Sequence, residues 1–418
     1  MSSEFEQNLE KYAEVILKVG LNLQKGQRLL ILSMRETPLL ELAPFVELIT
    51  NKAYKMGAKF VEVIWNDPQL DLIRFQHAPR DSFEEFPTWI SNAALEFAEK
   101  GDATLLLNAD IPDLFVDQDP ELMAIKRQTF YKHFKPAIDL RVKNATNWAI
   151  VAAPVDGWTE KIFPDIPPDK RKTKMWDTIF DICRVKQKDP VSAWNDHFDQ
   201  LHGRTNYLNH KQYNALKLEA PGTDLTIGLP KGHIWEGGRE KSQNGIDFTA
   251  NIPTEEIYTL PHKDKTEGVV TASKPLYFGG TRIEDFKLKF SEGKVIEATA
   301  GKGQKFLVQF IKTDEGASHL GEIALVPHSS PISQSGLLFY NGLIDENASC
   351  HIALGRAYSS CLENGNKMPD EEFMAAGGNI SLIHIDFMIG SGEMDMDGIM
   401  EDETSEPIMR KGEWAFEV

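Results

Sequence analysis

The stretch RLLILS at residues 28–33 is the first of four short apolar runs in the N-terminal half of the chain. The others are KFVEVIW (59–65), ATLLLNAD (103–110) and NWAIVAAP (147–154). Polar or Gly-containing segments flank each run, and amphipathic helical stretches separate them. This alternation is typical of βαβ units, in which helices cover both faces of a parallel sheet. We therefore predict an α/β N-terminal domain with a mostly parallel sheet.

The second half of the chain has a different pattern of predicted secondary structure, with one more helical segment followed by many short strands and turns. DFKLKF (285–290) and VIEATA (295–300) predict a hairpin, with Phe286, Leu288 and Phe290 on one face. Further strand candidates are ALKLEA (215–220), DLTIGL (224–229), GVVTAS (268–273), GEIALV (321–326) and ISLIHIDFMIG (380–390). Because 418 residues exceed one ordinary core, we predict two domains. They are an α/β domain at 1–188 and a β-rich α+β domain at 189–418 that carries the functional site.

Composition disfavours several classes of partner. Acidic residues outnumber basic ones by 63 to 45, and the formal net charge of −18 repels nucleic acid phosphates and anionic lipids. The N-terminus is acidic and amphipathic, unlike a secretory signal, and no apolar run approaches bilayer-spanning length. Three cysteines without metal-knuckle spacing suit a reducing compartment. We expect a cytoplasmic protein that binds neither nucleic acid nor membrane.

Two ionisable residues interrupt the apolar run at 380–390. Side chains of a strand alternate between its faces, so His384 and Asp386 lie on the same side. Burying a carboxylate beside an imidazole in apolar surroundings costs free energy unless something compensates. A metal cation and a simple hydrogen bond within the core are both compatible with this pattern.

Other acids of the second half lie close to apolar residues. NIPTEEIYTLP (251–261) places Glu255 and Glu256 between two prolines, next to Ile257 and Tyr258. Glu322 opens the strand candidate GEIALVP (321–327). Taken alone, adjacent acids and a glutamate at a strand start are ordinary surface features.

A further stretch, LIDENASCHIALGRAYSS (343–360), carries both acids and an imidazole. Its DEN segment at 345–347 predicts a helix start. His351 and Tyr358 are seven residues apart, which places them on one face of that helix. A stacked aromatic stripe in a core is the alternative reading of this pair.

Together these positions form a ligand set of four carboxylates and two imidazoles. The set is Glu256, Glu322, Glu346, His351, His384 and Asp386. Such ligands suit Zn, Co or Mn, and two divalent cations would balance four carboxylates. A cation pair of this kind activates water and polarises a carbonyl, and Tyr358 could donate to the developing oxyanion.

Four blocks carry a resemblance to a known family: IPTEEIYTLPH, DEGASHLGEIALVP, DENASCHIALGRAY and GGNISLIHIDFMIGSGEMDMDG. The chain resembles the aminopeptidase T and aminopeptidase S metallopeptidases, the thermophilic-type aminopeptidases, over nearly its whole length. The resemblance implies a two-domain homodimer with a dinuclear metal centre that removes N-terminal residues from peptides. By motif, it implies that the ligands are Glu256, Glu322, His351, His384 and Asp386. It also implies Tyr358 as the catalytic phenol and, in the DEN segment, Glu346 as a further ligand.

Both lines of reasoning lead to one mechanistic hypothesis. Glu322 is the candidate bridging ligand, activated water attacks the scissile carbonyl, and Tyr358 stabilises the oxyanion. Glu255 is a candidate proton shuttle, which requires irregular backbone because a regular strand would turn it away from Glu256. The alternatives are a small-ligand binding protein with a structural metal site and a two-metal hydrolase acting on another ester or amide.

The acidic stretch GSGEMDMDGIMEDETSE (390–406) is expected to be a solvated loop that could pair with a substrate ammonium. Glu393, Asp395 and Asp397 imitate the start of a calcium-binding EF-hand loop. Thr404 stands where that loop requires a glutamate, which disfavours calcium binding.

Overall fold

A computed structural model describes residues 3–33, 37–109, 111–278 and 281–418. The chain divides into two compact units. The first comprises Met1–Asp196 and Arg239–Pro253, and the second His197–Gly238 and Thr254–Val418. In the described residues, no helix combines the length and the apolar character needed to cross a membrane.

Helices of the described residues are concentrated in the first half of the chain. They are α1 (Glu4–Val15), α2 (Ala43–Lys55), α3 (Pro68–His77), α4 (Thr88–Glu99), α5 (Pro120–Val142), α6 (Asp156–Ile162), α7 (Pro168–Ile182), α8 (Pro190–Lys211), α9 (Gln304–Ile311), α10 (Pro331–Gln334), α11 (Gly342–Asp345) and α12 (Asp370–Ala375). The start of α1 shows why a helix begins there. Ser3 Oγ accepts from Glu6 N at 3.2 Å while Ser3 N donates to Glu6 Oε2 at 2.8 Å, a capping box.

Strands of the described residues run through both units. They are β1 (Arg28–Ser33), β2 (Phe60–Val63), β3 (Ala103–Asn108), β4 (Trp148–Ala152), β5 (Ala215–Ala220), β6 (Thr223–Gly228), β7 (Glu240–Lys241), β8 (Asp247–Phe248), β9 (Asn251–Ile252), β10 (Ile257–Thr259), β11 (Thr266–Thr271), β12 (Leu276–Phe278), β13 (Thr281–Ile283), β14 (Lys287–Ser291), β15 (Lys294–Thr299), β16 (Leu320–Leu325), β17 (His351–Gly355), β18 (His384–Met388), β19 (Asp395–Ile399), β20 (Ser405–Arg410) and β21 (Glu413–Trp414).

A parallel sheet of order β2-β1-β3-β4-β9 forms the centre of the first unit, which confirms the predicted α/β class. All four predicted runs contribute strands to it, although Asp110, the last residue of the third run, lies outside the described residues. The fifth strand comes from a distant segment: Ile150 N donates to Ala250 O at 2.7 Å, and β9 pairs with β4. The predicted domains, with a boundary between residues 188 and 189, do not include the return of residues 239–253 to the first unit.

The second unit is mostly antiparallel, as the β-rich prediction requires. One sheet has the order β15-β14-β11-β6-β5-β19-β20-β21, and a smaller sheet has the order β10-β16-β17-β18. The predicted hairpin is β14 and β15, with Phe286, Leu288 and Phe290 buried. The strand predicted at 380–390 is present as β18, from His384 to Met388.

Two predictions for the second unit are wrong. His351 and Tyr358 do not share a helix, because α11 ends at Asp345 and His351–Gly355 form β17. All five residues of β17 are buried between two neighbouring strands, and this tertiary pairing overrides the helical spacing. The acidic stretch at 390–406 is not a loop throughout, since it contributes β19 between β5 and β20. Arg410 pairs with Asp397, and Lys411 N donates to Asp395 Oδ1 at 2.8 Å, which argues against an EF-hand.

Candidate metal centre

The smaller sheet of the second unit gathers polar side chains from three of its strands and from the residue that precedes the fourth. Glu256 comes directly before β10, and Glu322 lies within β16. His351 begins β17, while His384 and Asp386 belong to β18. The alternating pattern of an antiparallel sheet therefore delivers residues from distant parts of the sequence to one place.

Strand register explains how these side chains reach one another. Ala353 of β17 pairs with Glu322 on one side and with Asp386 on the other. Gly355 pairs with His384. Paired residues of an antiparallel sheet point to the same face, so at Ala353 and Gly355 the middle strand places only a methyl group and a hydrogen between the flanking polar groups.

Within the part of the chain that the structure describes, two groups of side chains are close enough to hold metal ions, with ligand atoms within 4.8 Å of one another in each group. Group one is Glu256, Glu322 and His351, and group two is Glu322, His384 and Asp386. Glu322 belongs to both. Its Oε1 lies 3.5 Å from His351 Nε2, and its Oε2 lies 3.5 Å from His384 Nε2. Each oxygen of this carboxylate, only 5% exposed as a residue, thus faces a different group.

Both imidazoles are oriented by backbone carbonyls. His351 Nδ1 lies 3.2 Å from Ser349 O, and His384 Nδ1 lies 2.7 Å from Arg356 O. A carbonyl oxygen only accepts, so Nδ1 carries the hydrogen in each ring. In the neutral imidazole, Nε2 then carries the lone pair and faces the carboxylates, which is the arrangement typical of metal-binding histidines.

Each group also contains a buried carboxylate oxygen that lacks a hydrogen-bond donor. Glu256 Oε2 and Asp386 Oδ1 are buried, and while the imidazoles are neutral neither oxygen accepts a hydrogen bond from the described residues. They lie 3.2 Å from His351 Nε2 and His384 Nε2, respectively. A buried carboxylate oxygen without a donor is costly, and a cation would satisfy it. The donor set of oxygens and imidazole nitrogens therefore fits a divalent metal in both groups.

Electrostatics of the two groups favour positive charge. Burial raises the pKa of Glu256 to about 7, and the charges of Glu322 and Asp386 add to the effect. Burial lowers the pKa of His351, but its contact with Glu322 and the charge of Glu256 raise it to about 10. For His384, burial is likewise outweighed by the charge of Asp386, and the pKa rises to about 10. This concentration of negative charge attracts protons or cations.

Comparison with known proteins also indicates a metal-binding protein. The sequence profile of the family described as Thermophilic metalloprotease (M29) matches residues 5–414.

The chain belongs to this metalloprotease family.

Relatives within the family have aminopeptidase names. Aminopeptidase 2 of Geobacillus stearothermophilus is 44% identical over 416 residues, covering 100% of both chains. Aminopeptidase T of Thermus thermophilus is 40% identical, covering 98% of this chain and 99% of the relative. The solved structure of wild-type AmpT from Thermus thermophilus has a TM-score of 0.92 at 40% identity, covering 99% of this chain and 100% of that one. The likeness confirms the predicted family and fold class.

Glu346, the sixth predicted ligand of this metalloprotease, lies beside both groups without belonging to either. It begins a short 3₁₀ turn, Glu346–Ala348. Burial and the charges of Glu256 and Asp386 raise its pKa well above the ordinary value, so its carboxyl lies within electrostatic reach of them. A role as a ligand stays a prediction.

Glu255, the candidate shuttle, is buried in an irregular segment that precedes β10. Its Oε2 lies 3.6 Å from His197 Nε2. The same His197 Nε2 lies 3.0 Å from Thr254 O, and since a carbonyl cannot donate, this nitrogen carries a hydrogen. The irregular backbone that the shuttle hypothesis requires is therefore present.

Tyr358, the candidate catalytic phenol, follows β17 and precedes a 3₁₀ turn. Its ring centroid lies 5.1 Å from that of His384 and 5.9 Å from that of Tyr258. The residue is 44% exposed, so it is accessible from solvent while it contacts a candidate ligand.

Sequence reasoning missed three residues that shape this centre: His197, Asn347 and Ala353. His197 is separated from Glu255 by dozens of residues, and nothing in its local sequence marks it. Asn347 was interpreted only as part of a helix start. An alanine within a buried strand gives no chemical signal, so Ala353 could be found only from strand register.

Proposed function

We propose that this chain is a metal-dependent aminopeptidase that hydrolyses the N-terminal peptide bond of peptides at a pair of divalent cations. Membership of the metalloprotease family supports the metal and the hydrolysis. The aminopeptidase names of full-length relatives support action at the N-terminus.

One observation carries the two-cation proposal: Glu322 presents one oxygen to each group, and each group has its own carboxylate oxygen without a donor. A single cation would leave one of these oxygens unsatisfied. The proposed ligands of the first cation are Glu256, Glu322 and His351. Those of the second are Glu322, His384 and Asp386, with Glu346 completing the set.

When bound, such a cation pair supplies a water of lowered pKa and a Lewis acid for the scissile carbonyl. The protein contributes the remaining groups. The Tyr358 hydroxyl donates to the oxyanion that develops on the carbonyl oxygen. The Glu255 carboxylate moves a proton to the leaving amine, and the neighbouring His197 orients it. The candidate metals are zinc, cobalt and manganese.

A hydrolysis assay with three compounds tests this function. The purified chain is incubated with an aminoacyl p-nitroanilide, its N-acetylated counterpart and p-nitrophenyl phosphate, before and after chelation and after metal is restored. We expect cleavage of the free anilide alone, lost on chelation and recovered with metal. Cleavage of the acetylated anilide would contradict exopeptidase action. Turnover of the phosphate ester alone would indicate another hydrolase, and turnover of none would favour a binding protein.

Two further expectations concern the protein in the cell. A homodimer and a cytoplasmic location stay predictions. Sedimentation of the purified chain tests the first, and fractionation of the source cells tests the second.

A further inference from the structure

Thr254, Glu255 and Glu256 lie outside regular secondary structure, immediately before β10. No strand or helix hydrogen bonds therefore fix their backbone, yet the two glutamates are buried. A buried segment of this kind depends on side chains from elsewhere to satisfy its polar groups. Asn347 is such a side chain.

The Asn347 amide is completely buried, with 0% exposure. Glu255 N donates to Asn347 Oδ1 at 2.7 Å, across 92 positions of sequence. Asn347 Nδ2 donates to Leu343 O at 3.3 Å. Because Oδ1 faces a backbone N–H, the NH₂ end faces acceptors only, and the amide has one orientation.

The backbone that Asn347 holds carries a candidate metal ligand. Glu256 is the residue immediately after Glu255, so the hydrogen bond from Glu255 N to Asn347 Oδ1 restrains the backbone from which the Glu256 side chain extends. Glu256 Oε2 is buried and faces His351 Nε2 at 3.2 Å. Asn347 thus acts next to the residue that presents this oxygen to the first group.

We propose that Asn347 is a positioning residue that fixes the backbone at Glu255, and with it the backbone from which the Glu256 side chain extends, and so sets the affinity of the first cation. The inference rests on the proposed function, since it assumes that Glu256 and His351 share a cation. Hydrogen-bond partners of metal ligands restrict ligand orientation, and their loss weakens metal binding. In the described residues Asn347 makes no hydrogen bond to the side chains of Glu322, His384 or Asp386, so we expect the second cation to keep its affinity.

The proposal is tested by titrating the metal-free chain with Co²⁺ and monitoring the titration by visible absorption. Asn347→Ala removes both hydrogen bonds. Asn347→Leu also removes the acceptor for Glu255 N while it nearly preserves the side-chain volume, and it is the variant to use if the alanine variant does not fold. Asn209→Ala is the matched control, because the Asn209 amide bonds Trp235 N at 2.7 Å and Trp235 O at 3.0 Å and contacts no candidate ligand.

The wild-type chain should bind two equivalents of Co²⁺. Both Asn347 variants should bind one equivalent about 10–100-fold more weakly and the other unchanged. Asn209→Ala should behave as wild type. Wild-type affinity for both equivalents in the Asn347 variants would overturn the proposal, as would an equal loss in Asn209→Ala. Absence of Co²⁺ uptake by the wild-type chain would refute the proposed function itself.

Discussion

The Glu322 carboxylate and the His384 imidazole approach to 3.5 Å although a complete strand separates their backbones. Neighbouring strands are about 4.8 Å apart, so β16 and β18 are separated by roughly twice that distance. The side chains can meet only above small residues of β17. Ala353 and Gly355 are those residues, and a Cβ added to Gly355 would lie 2.1 Å from Ile383 O.

Enlarging Ala353 should therefore separate the carboxylates of Glu322 and Asp386. We expect Ala353→Leu to abolish tight metal binding and to destabilise the second unit by about 1–3 kcal/mol through overpacking. Ala353→Gly keeps the space open and should retain metal. Metal content after dialysis and urea unfolding check both variants. Retention of two cations by the leucine variant would contradict this account of the register.

Glu322 should be the ligand whose loss affects both cations. We expect Glu322→Gln to weaken both and to lower kcat/KM by at least about 100-fold, since even partners of ligands cost 10–100-fold. Asp386→Asn should weaken one cation only. Glu406→Gln is the control, because Glu406 accepts from Tyr213 Oη at 2.7 Å within the larger sheet and belongs to neither metal group. Elemental analysis of the purified variants gives the stoichiometry, and loss of only one cation in Glu322→Gln would exclude bridging.

Metal removal should lower thermal stability. A ligand that binds only the folded state at 100 times its dissociation constant contributes about 2.7 kcal/mol. Chelation should therefore lower the melting temperature, and added metal should restore it. In Glu322→Gln the same chelation should have little effect. Scanning calorimetry with and without chelator makes the comparison, and an equal shift in both proteins would place the stabilising metal elsewhere.

Tyr358→Phe should reduce turnover while leaving metal content unchanged. The ring contacts with His384 and Tyr258 remain possible, and only the hydroxyl is lost. Removing one oxyanion donor typically lowers kcat by about 10²–10³-fold. Steady-state kinetics on an aminoacyl anilide should show this fall in kcat with little change in KM. Tyr258→Phe serves as the ring-preserving control, and an equal effect there would refute the assigned role.

Glu236 should make stability depend on pH. Burial raises the pKa of its carboxyl above the ordinary 4.5, although Ser360 Oγ donates to it at 2.7 Å. The other titratable groups near it are Cys361, whose Sγ lies 3.8 Å away, and Tyr258. A raised carboxyl pKa favours folding below 4.5, and that contribution is lost as pH rises through the folded-state value. Glu236→Gln should therefore gain stability relative to wild type between pH 5 and pH 8, measured by urea unfolding. A stability difference between Glu236→Gln and wild type that does not change with pH would contradict this prediction.

Local pattern was sufficient for strands whose neighbours are close in sequence or whose apolar character is continuous. RLLILS and ALKLEA coincide with β1 and β5. The pattern failed at β17, because His351–Gly355 is buried on both faces and shows no alternation. Chemistry and resemblance singled out Glu256, Glu322, His351, His384 and Asp386, and the structure brings these five residues together. Their supporting residues were not predictable, because the contact between Asn347 and Glu255 spans 92 positions and is created only by folding.

The return of the chain to the first unit has a consequence for synthesis on the ribosome. β4 acquires its second neighbour only when Asn251 and Ile252 have emerged, so the five-stranded sheet is incomplete throughout translation of α8, β5 and β6. The candidate ligand Glu256 is translated shortly afterwards, in the segment that precedes β10. A fragment that stops at residue 188 would expose one edge of β4, and such an unpaired edge promotes aggregation. Separate expression of the N-terminal unit should therefore require residues 239–253 to be fused to it.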